Sequence, residues 1–507
     1  MYSFDFHGIK YVAIVAFLIT AIVASGRSSA HSLEVLLAER WTLASSTSAV
    51  EPVRREKPED KFTPLAGGDA VLLDGAAIIK ERDHLIADGK DFIFVDKSNK
   101  RVMLYRGGKS ALDFAIQTMG REGSLFETPG GRYAVKSKEK NHFSSIGKVW
   151  MPWSMHFFGN YFVHGWPYYP DKRRVSDGYS GGCIRLTDKD AEKIFNEAAI
   201  GMPVLVYADD PRRPLDYGYF KKVIPPGRPA TALSVTAASA LVADFETGEV
   251  LYEKDRTAVS PIASITKTMT ALVAVETIGA YEPIAVSERA IATEGHSGGF
   301  LKGEIFESRE LLYPLLLASS NDAAEVYAGR VVNFVGLMRE KAGAIGMTRT
   351  HFEDASGLSA QNVSTAEDLL KLLRFVATHK TPIFEITGLA DYRVKADGHH
   401  RAHTWKNVSW RLPDPRFIGG KSGATPDALQ TMAGVYRVKL SEFEPRPVAI
   451  VILGSRDRIG DIERMIGYLE DNIVYGSAVE DKAKRGAPAM VTGGANIYEG
   501  VRSFTLY

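Results

Sequence analysis

From Asp91 onward, short runs in which apolar and polar residues alternate follow one another: FIFVD, RVMLY, DFAIQ, RYAVK and YFVHG, closing with MPVLVY. Alternation of period two, broken by turn-like stretches such as KSNK, predicts a β-rich unit over 69–208. One helical pattern interrupts it, Asp188 to Ala199, with Thr187 as N-cap and Ala191, Ile194 and Ala198 on one face. Residues 209–230 carry Pro211, Pro214, Pro225, Pro226 and Pro229 among charges, which predicts a semi-rigid linker. A second unit, 231–475, opens with the hairpin-like ASALVADFETGEVLYEKD and continues through helical segments at Ser264 to Ile278 and Ala366 to Ala377. It closes with the strand patterns TMAGVYRVKL and PVAIVILGS. Strands flanking a helical middle predict one sheet covered by helices.

The ends of the chain read differently. Tyr11 to Ala24 is apolar and free of charge, follows Lys10 and precedes the small residues Ser25, Gly26, Ser28, Ser29 and Ala30. It predicts an export signal over 1–30, either a cleaved signal peptide or a retained signal anchor in the membrane. A Ser/Thr- and Pro-containing stretch over 31–68 predicts a flexible stalk, and the Gly- and Ala-rich 476–507 a tail. The expected location is therefore the periplasm or cell envelope, with the inner membrane as the anchor site if the signal is retained.

Composition narrows the class of function. The 507 residues carry 62 Lys+Arg against 61 Asp+Glu, with no concentrated basic stripe, which excludes a nucleic-acid binder. With 45% apolar residues and one cysteine the chain is neither disordered nor held by internal disulfides. An unpaired thiol in an exported protein directs attention to Cys183, whose two readings are a small buried apolar residue and a reactive group.

His164 ends one strand pattern, and Ser180, Gly181, Gly182, Cys183, Ile184 and Arg185 follow a loop. A nucleophilic thiol needs a proton acceptor, which an imidazole supplies, and flanking glycines leave room for a substrate carbonyl. Arg185 can hold a carboxylate. On these residues, together with ETPGGRYAV from Glu127 to Val135, the chain resembles the L,D-transpeptidase catalytic domain. The resemblance implies a β-sandwich-like fold, Cys183 as nucleophile, His164 as its base and a peptidoglycan tetrapeptide stem as acyl donor. Ser180, Gly182 and Arg185 would contact substrate. Gly181 stands where that family usually has a second histidine.

Ser264 and Lys267 lie one helical turn apart at the start of an apolar helix pattern, and Ser319, Ser320, Asn321 and then Lys421, Ser422, Gly423 follow in order. A serine needs a base, and a desolvated lysine beside other cations can serve. The pair alone is a weak motif, but three in this order are specific. Here the chain resembles the serine D-alanyl-D-alanine carboxypeptidases, low-molecular-weight penicillin-binding proteins. The resemblance implies an α/β fold of antiparallel sheet with helices, shared with β-lactamases, and β-lactams as covalent inhibitors. It also implies Ser264 as nucleophile, Lys267 as base, Ser319 and Asn321 as proton shuttle and amide holder, Lys421 and Ser422 as carboxylate binders, and an oxyanion hole from the N–H groups of Ser264 and Ala424. The carboxylate loop of a class A β-lactamase is not recognised between Asn321 and Lys421.

Together the resemblances imply a multidomain enzyme working on peptidoglycan stem peptides. The serine site would trim pentapeptides to tetrapeptides, from which the cysteine site would form 3-3 cross-links. The alternatives are a carboxypeptidase or endopeptidase whose first domain only binds the wall, or a first domain acting as an L,D-carboxypeptidase or attaching proteins to the wall. No cofactor or metal is expected: His399, His400 and His403 lack the accompanying ligands of a zinc motif and read as loop residues.

Overall fold

The computed structural model describes residues 74–208, 217–221, 233–295, 297–409, 414–441 and 444–477. The expected export signal, the stalk and nearly all of the tail lie outside the described residues.

The first domain opens with helix α1 (Asp74–Ala87) and continues through β1 (Phe92–Asp96), β2 (Arg101–Arg106), β3 (Lys109–Ala115), β4 (Gly131–Ala134), β5 (Ser137–Ser144), β6 (Val149–Phe158), β7 (Tyr161–His164) and β8 (Ile184–Arg185). Helix α2 (Asp188–Glu197) and β9 (Pro203–Tyr207) complete it. The strands form a five-stranded sheet in the order β3-β2-β1-β9-β4 and a four-stranded sheet β5-β6-β7-β8. Alternate residues of both sheets, among them Ile93, Val95, Val204, Met155, Phe157 and Val163, meet in one apolar core that Ala191 and Ile194 of α2 cover. Thr187 caps α2, its hydroxyl accepting from the Asp190 N–H at 3.2 Å. The periodicity does not mark β5 or β6: Ser137–Ser144 is almost wholly polar and lies at the sheet edge, and Pro152 interrupts the apolar run of β6.

The expected linker contains a strand, β10 (Tyr217–Lys221). The second domain then runs through β11 (Ser239–Asp244), β12 (Val250–Lys254), α3 (Thr266–Thr277), α4 (Asn321–Arg330), α5 (Phe334–Ala344), α6 (Ala366–His379) and α7 (Thr381–Gly388). It ends with β13 (Phe417–Thr425), β14 (Leu429–Val438), β15 (Arg446–Ser455), α8 (Arg458–Asn472) and β16 (Ile473–Ser477), which pairs with β10. Its main sheet has the order β12-β11-β15-β14-β13, and every neighbouring pair is antiparallel. Both faces are covered, which explains the unbroken apolar run of β15. Ala449, Val451 and Leu453 face the helices α3 to α7, while Val448, Ile450 and Ile452 face α8.

The two domains share buried contacts. Leu337 and Ala344 of α5 join the core of the first domain beside Tyr133, and the buried Lys341 lies 3.0 Å from Glu276 and 2.9 Å from the Tyr133 hydroxyl. At the other end of the contact, the buried Glu127 lies 2.5 Å from Lys97 and 2.8 Å from His379. The chemistry of the two candidate sites is therefore carried on one packed body rather than on two units swinging about a linker.

Candidate active site

Two nucleophile-bearing clusters are formed. The first begins at a short 3-10 turn, Ala263–Ile265, which leads directly into α3. Ala263 sits at φ +48°, a left-handed conformation that a non-glycine residue keeps only where its surroundings enforce it. Here they do: Gly357, itself at φ +85°, packs its Cα against the Ala263 carbonyl, where any Cβ would collide. The turn leaves Ser264 half-buried and directs Lys267, one turn on, into the interior. Lys267 Nζ lies 3.0 Å from Ser264 Oγ and donates to the Ser356 carbonyl at 2.5 Å. Burial pushes the Lys267 ammonium down to about 7, against the opposing pull of Asp354 and Asp322. A lysine titrating there is free-base in large part at neutral pH and can accept the serine proton.

The other two motifs converge on the same turn. Ser319, at φ +55°, precedes α4, and Ser320 caps that helix by accepting from the Ala323 N–H at 2.9 Å. Lys421 of β13 is buried and places Nζ 3.0 Å from Ser319 Oγ and 2.9 Å from the Ser422 carbonyl. Burial holds its ammonium well below the ordinary lysine range, and the neighbouring Lys267 and Arg458 act in the same direction. Ser422 Oγ lies 3.0 Å from Ser409 Oγ. A Cβ on Gly423 would come within 2.7 Å of the Ser264 nitrogen, so β13 runs directly over the nucleophile, with Ala424 exposed beside it. Asn321 donates its amide to the Glu294 carbonyl at 2.8 Å. The Ser356 carbonyl and Ser409 were not singled out from sequence. A backbone acceptor has no side-chain signature in the sequence.

The second cluster depends on the parallel pairing of β7 with β8, whose register sets Val163 against Ile184 and His164 against Arg185. Cys183 immediately precedes β8, so its side chain, like those of Arg185 and His164, leaves the same face of the sheet. His164 is buried, and its Nδ1 lies 2.5 Å from the Gly165 carbonyl, which assigns the proton to Nδ1 and leaves Nε2 as the basic nitrogen. Burial pushes the imidazole down to about 3 and the Cys183 thiol up to about 11. In the resting protein both are neutral, and the thiol is directed at the Asn160 carbonyl, 3.5 Å away.

The loop before Cys183 is closed on itself. Ser180 Oγ donates to the Cys183 carbonyl at 2.5 Å and accepts from the Gly182 N–H at 3.0 Å. Ser180 is buried and Gly182 has its amide committed to the loop, so both shape the turn that carries Cys183. Gly182, at φ +112°, lies flat on the Tyr161 ring, with no room for a side chain. Gly181 is exposed, and a Cβ there would meet nothing within 4 Å.

Arg185 stacks 5.8 Å above Trp166. Its Nε and the Thr118 hydroxyl are buried and have no hydrogen-bond partner among the described residues. Thr118 pairs with Arg185 and, with Gln117, Trp166, Arg174 and Thr187, lines a cleft of about 610 Å³. Trp166 lines this cleft, while Tyr161 belongs to the core and the Tyr168 hydroxyl accepts from Asn141 at 2.8 Å. Among the histidines elsewhere, His403 starts a short strand, His403–Lys406, and lies 3.1 Å from Glu304, while His400 stacks on Phe306.

Comparison with known proteins separates the same two halves. The family described as L,D-transpeptidase catalytic domain matches residues 90–206, and that described as D-alanyl-D-alanine carboxypeptidase matches residues 227–455. A D-alanyl-D-alanine endopeptidase of Pseudomonas aeruginosa is 32% identical over 272 residues, covering 50% of this chain and 83% of that protein. One from Escherichia coli K12 is 33% identical over 256 residues, covering 48% and 79%. A solved D-alanyl-D-alanine carboxypeptidase from Mycobacterium tuberculosis aligns with a TM-score of 0.42 at 27% identity, covering 49% of this chain and 95% of that one.

Proposed function

From the membership of this chain in the D-alanyl-D-alanine carboxypeptidase family, with an L,D-transpeptidase catalytic domain ahead of it, we propose two acyl-enzyme sites acting on the same peptidoglycan stems. The observation that carries the reading is the convergence of Ser264, Lys267, Ser319 and Lys421 around one turn, under the edge of β13. Ser264 Oγ attacks the carbonyl of the penultimate D-alanine as its proton passes to Lys267. The oxyanion is held by the N–H groups of Ser264 and Ala424. The C–N bond breaks, the departing D-alanine takes a proton relayed through Ser319 and Lys421, and water releases the tetrapeptide.

At the second site the thiol of Cys183 gives its proton to His164 Nε2 as sulfur attacks the carbonyl of the third stem residue, expelling the fourth. An amine of a neighbouring stem then takes the acyl group, forming a 3-3 link. The unpartnered Nε of Arg185 and the Thr118 hydroxyl suit a substrate carboxylate. Because thiol and imidazole are both neutral at rest, proton transfer accompanies attack instead of preceding it. Acylation of Cys183 should therefore stay flat between pH 5 and 9, where neither group titrates, while the serine site loses activity on the acid side of about pH 7. Parallel pH profiles of D-alanine release and of Cys183 acylation by a carbapenem test this difference; a cysteine profile with an acid limb near 6.5 would argue for a more solvated imidazole.

The names of the two bacterial relatives support a second reading of the serine site, as an endopeptidase cutting cross-bridges. The apolar segment Tyr11 to Ala24 supports work in the cell envelope. The decisive experiment is peptide mass spectrometry of the purified chain after benzylpenicillin and, separately, a carbapenem. Adducts on Ser264 and Cys183 are expected. An adduct on Ser264 alone would reduce the first domain to a wall-binding module, and a Cys183→Ala chain that still formed 3-3 links would remove it from the reaction.

A further inference from the structure

The two domains meet where the cysteine loop is built. Lys380, at the junction of α6 and α7 in the serine domain, is completely buried. Its ammonium has three acceptors, and all belong to the cysteine domain: the carbonyl of Glu127 at 2.6 Å, the carbonyl of Leu125 at 3.1 Å and the Tyr161 hydroxyl at 3.4 Å. Two of them lead to the nucleophile. The Tyr161 ring is the surface on which Gly182 lies. Thr128, next to Glu127, donates its hydroxyl to the Gly182 carbonyl at 2.8 Å. A second strut comes from α3: the Glu276 carbonyl at its C-terminal end accepts from the Asn160 N–H at 3.2 Å, and it is the Asn160 carbonyl that receives the Cys183 thiol. The helix that begins beside Ser264 thus ends against the turn that holds Cys183, about 18 Å away along its axis.

We infer that the serine domain completes the cysteine site, with Lys380 acting as a positioning residue for Cys183. The inference rests on the reading of Cys183 as a nucleophile. A backbone loop with two glycines has little stiffness of its own, and a small displacement of a nucleophile is costly to the reaction rate. A buried ammonium that binds two carbonyls of the 125–127 segment and the Tyr161 hydroxyl fixes the surface on which the cysteine loop rests, where apolar packing alone would let it slide. A methionine at position 380 keeps the volume and loses all three bonds.

The test uses the full chain, wild type, Lys380→Met, Lys380→Arg and Tyr161→Phe, with three rates measured on each. These are acylation of Cys183 by a carbapenem, alkylation of Cys183 by iodoacetamide, and acylation of Ser264 by a fluorescent penicillin. In Lys380→Met, carbapenem acylation is expected to slow by about tenfold or more while still running to completion. Alkylation is expected to quicken about threefold, because a loosened loop exposes the thiol, and Ser264 should stay within about twofold of wild type. A purely structural loss would instead lower the fraction of Cys183 that reacts, leaving the rate of the remainder unchanged. Lys380→Arg should recover part of the rate. If both cysteine rates stay within about twofold of wild type, the inference is overturned. If Lys380→Met fails to label at Ser264, the milder Tyr161→Phe decides by the same two rates. If wild type takes no carbapenem, the transpeptidase reading fails, and iodoacetamide alone still decides whether Lys380 positions the thiol.

Discussion

Ser264→Ala is expected to lower the release of terminal D-alanine from a D-alanyl-D-alanine peptide by on the order of 10⁶-fold, the scale on which the loss of a serine nucleophile is felt. Lys267→Met is expected to cost about 10² to 10⁴-fold, the usual share of a general base. The double variant should be no slower than Ser264→Ala alone, because a base without its nucleophile has nothing to activate. The Lys267 amine, 3.0 Å from Ser264 Oγ, is the only titrating group in bonding reach of that hydroxyl among the described residues. Its pH signature follows from burial, which brings the ammonium down to about 7. The base works in its neutral form, so activity falls as pH drops through about 7 and recovers on the alkaline side. In Lys267→Met that limb should disappear. An acid limb in the carboxylate range, or one that persists in Lys267→Met, would transfer the role of base to another residue.

How much of this could be read from sequence depends on how local each feature is. The strand FIFVD, the cap at Thr187 and the turn from Ser264 to Lys267 are set by neighbours within a few positions, and they form where periodicity and spacing put them. The long apolar run of β15 is legible because both of its faces are covered. The misses are of two kinds. Helix α1 lies at the start of the unit expected to be β-rich, and β10 lies among the prolines expected as linker; in each case local composition hid a segment that partners elsewhere stabilise. The supports of the two sites were illegible for a different reason. Lys267 leans on a carbonyl of Ser356, and Lys380 on carbonyls of Leu125 and Glu127, so the acceptor in each case is backbone and any residue could supply it. Glu127 was noticed only as part of ETPGGRYAV, with nothing in the sequence to join it to His379.

That junction should control the stability of the whole molecule. Burial disfavours the Glu127 carboxylate, but the hydrogen bond and charge of His379, with Lys97 beside it, outweigh burial and hold it at about 2, below the ordinary 4.5. A carboxyl depressed in the folded state stabilises that state above its unfolded value, and the stabilisation is lost as pH falls from about 4.5 to 2. The shift corresponds to on the order of 3 kcal/mol at neutral pH. Glu127→Gln removes this and leaves the buried Lys97 facing a neutral amide, a kind of change that costs about 3 to 5 kcal/mol where one partner of a buried pair is deleted. The variant is therefore expected to melt several degrees below wild type at pH 7, with the gap narrowing as pH is lowered toward 2, because wild type then loses what the variant never had. Because Glu127 belongs to the first domain and His379 to the second, the variant should also separate into two unfolding transitions where wild type shows one. Calorimetric scans of both proteins at pH 7 and pH 3 measure the two effects together. An equal gap at both pH values would show that Glu127 does not hold the domains together through its charge.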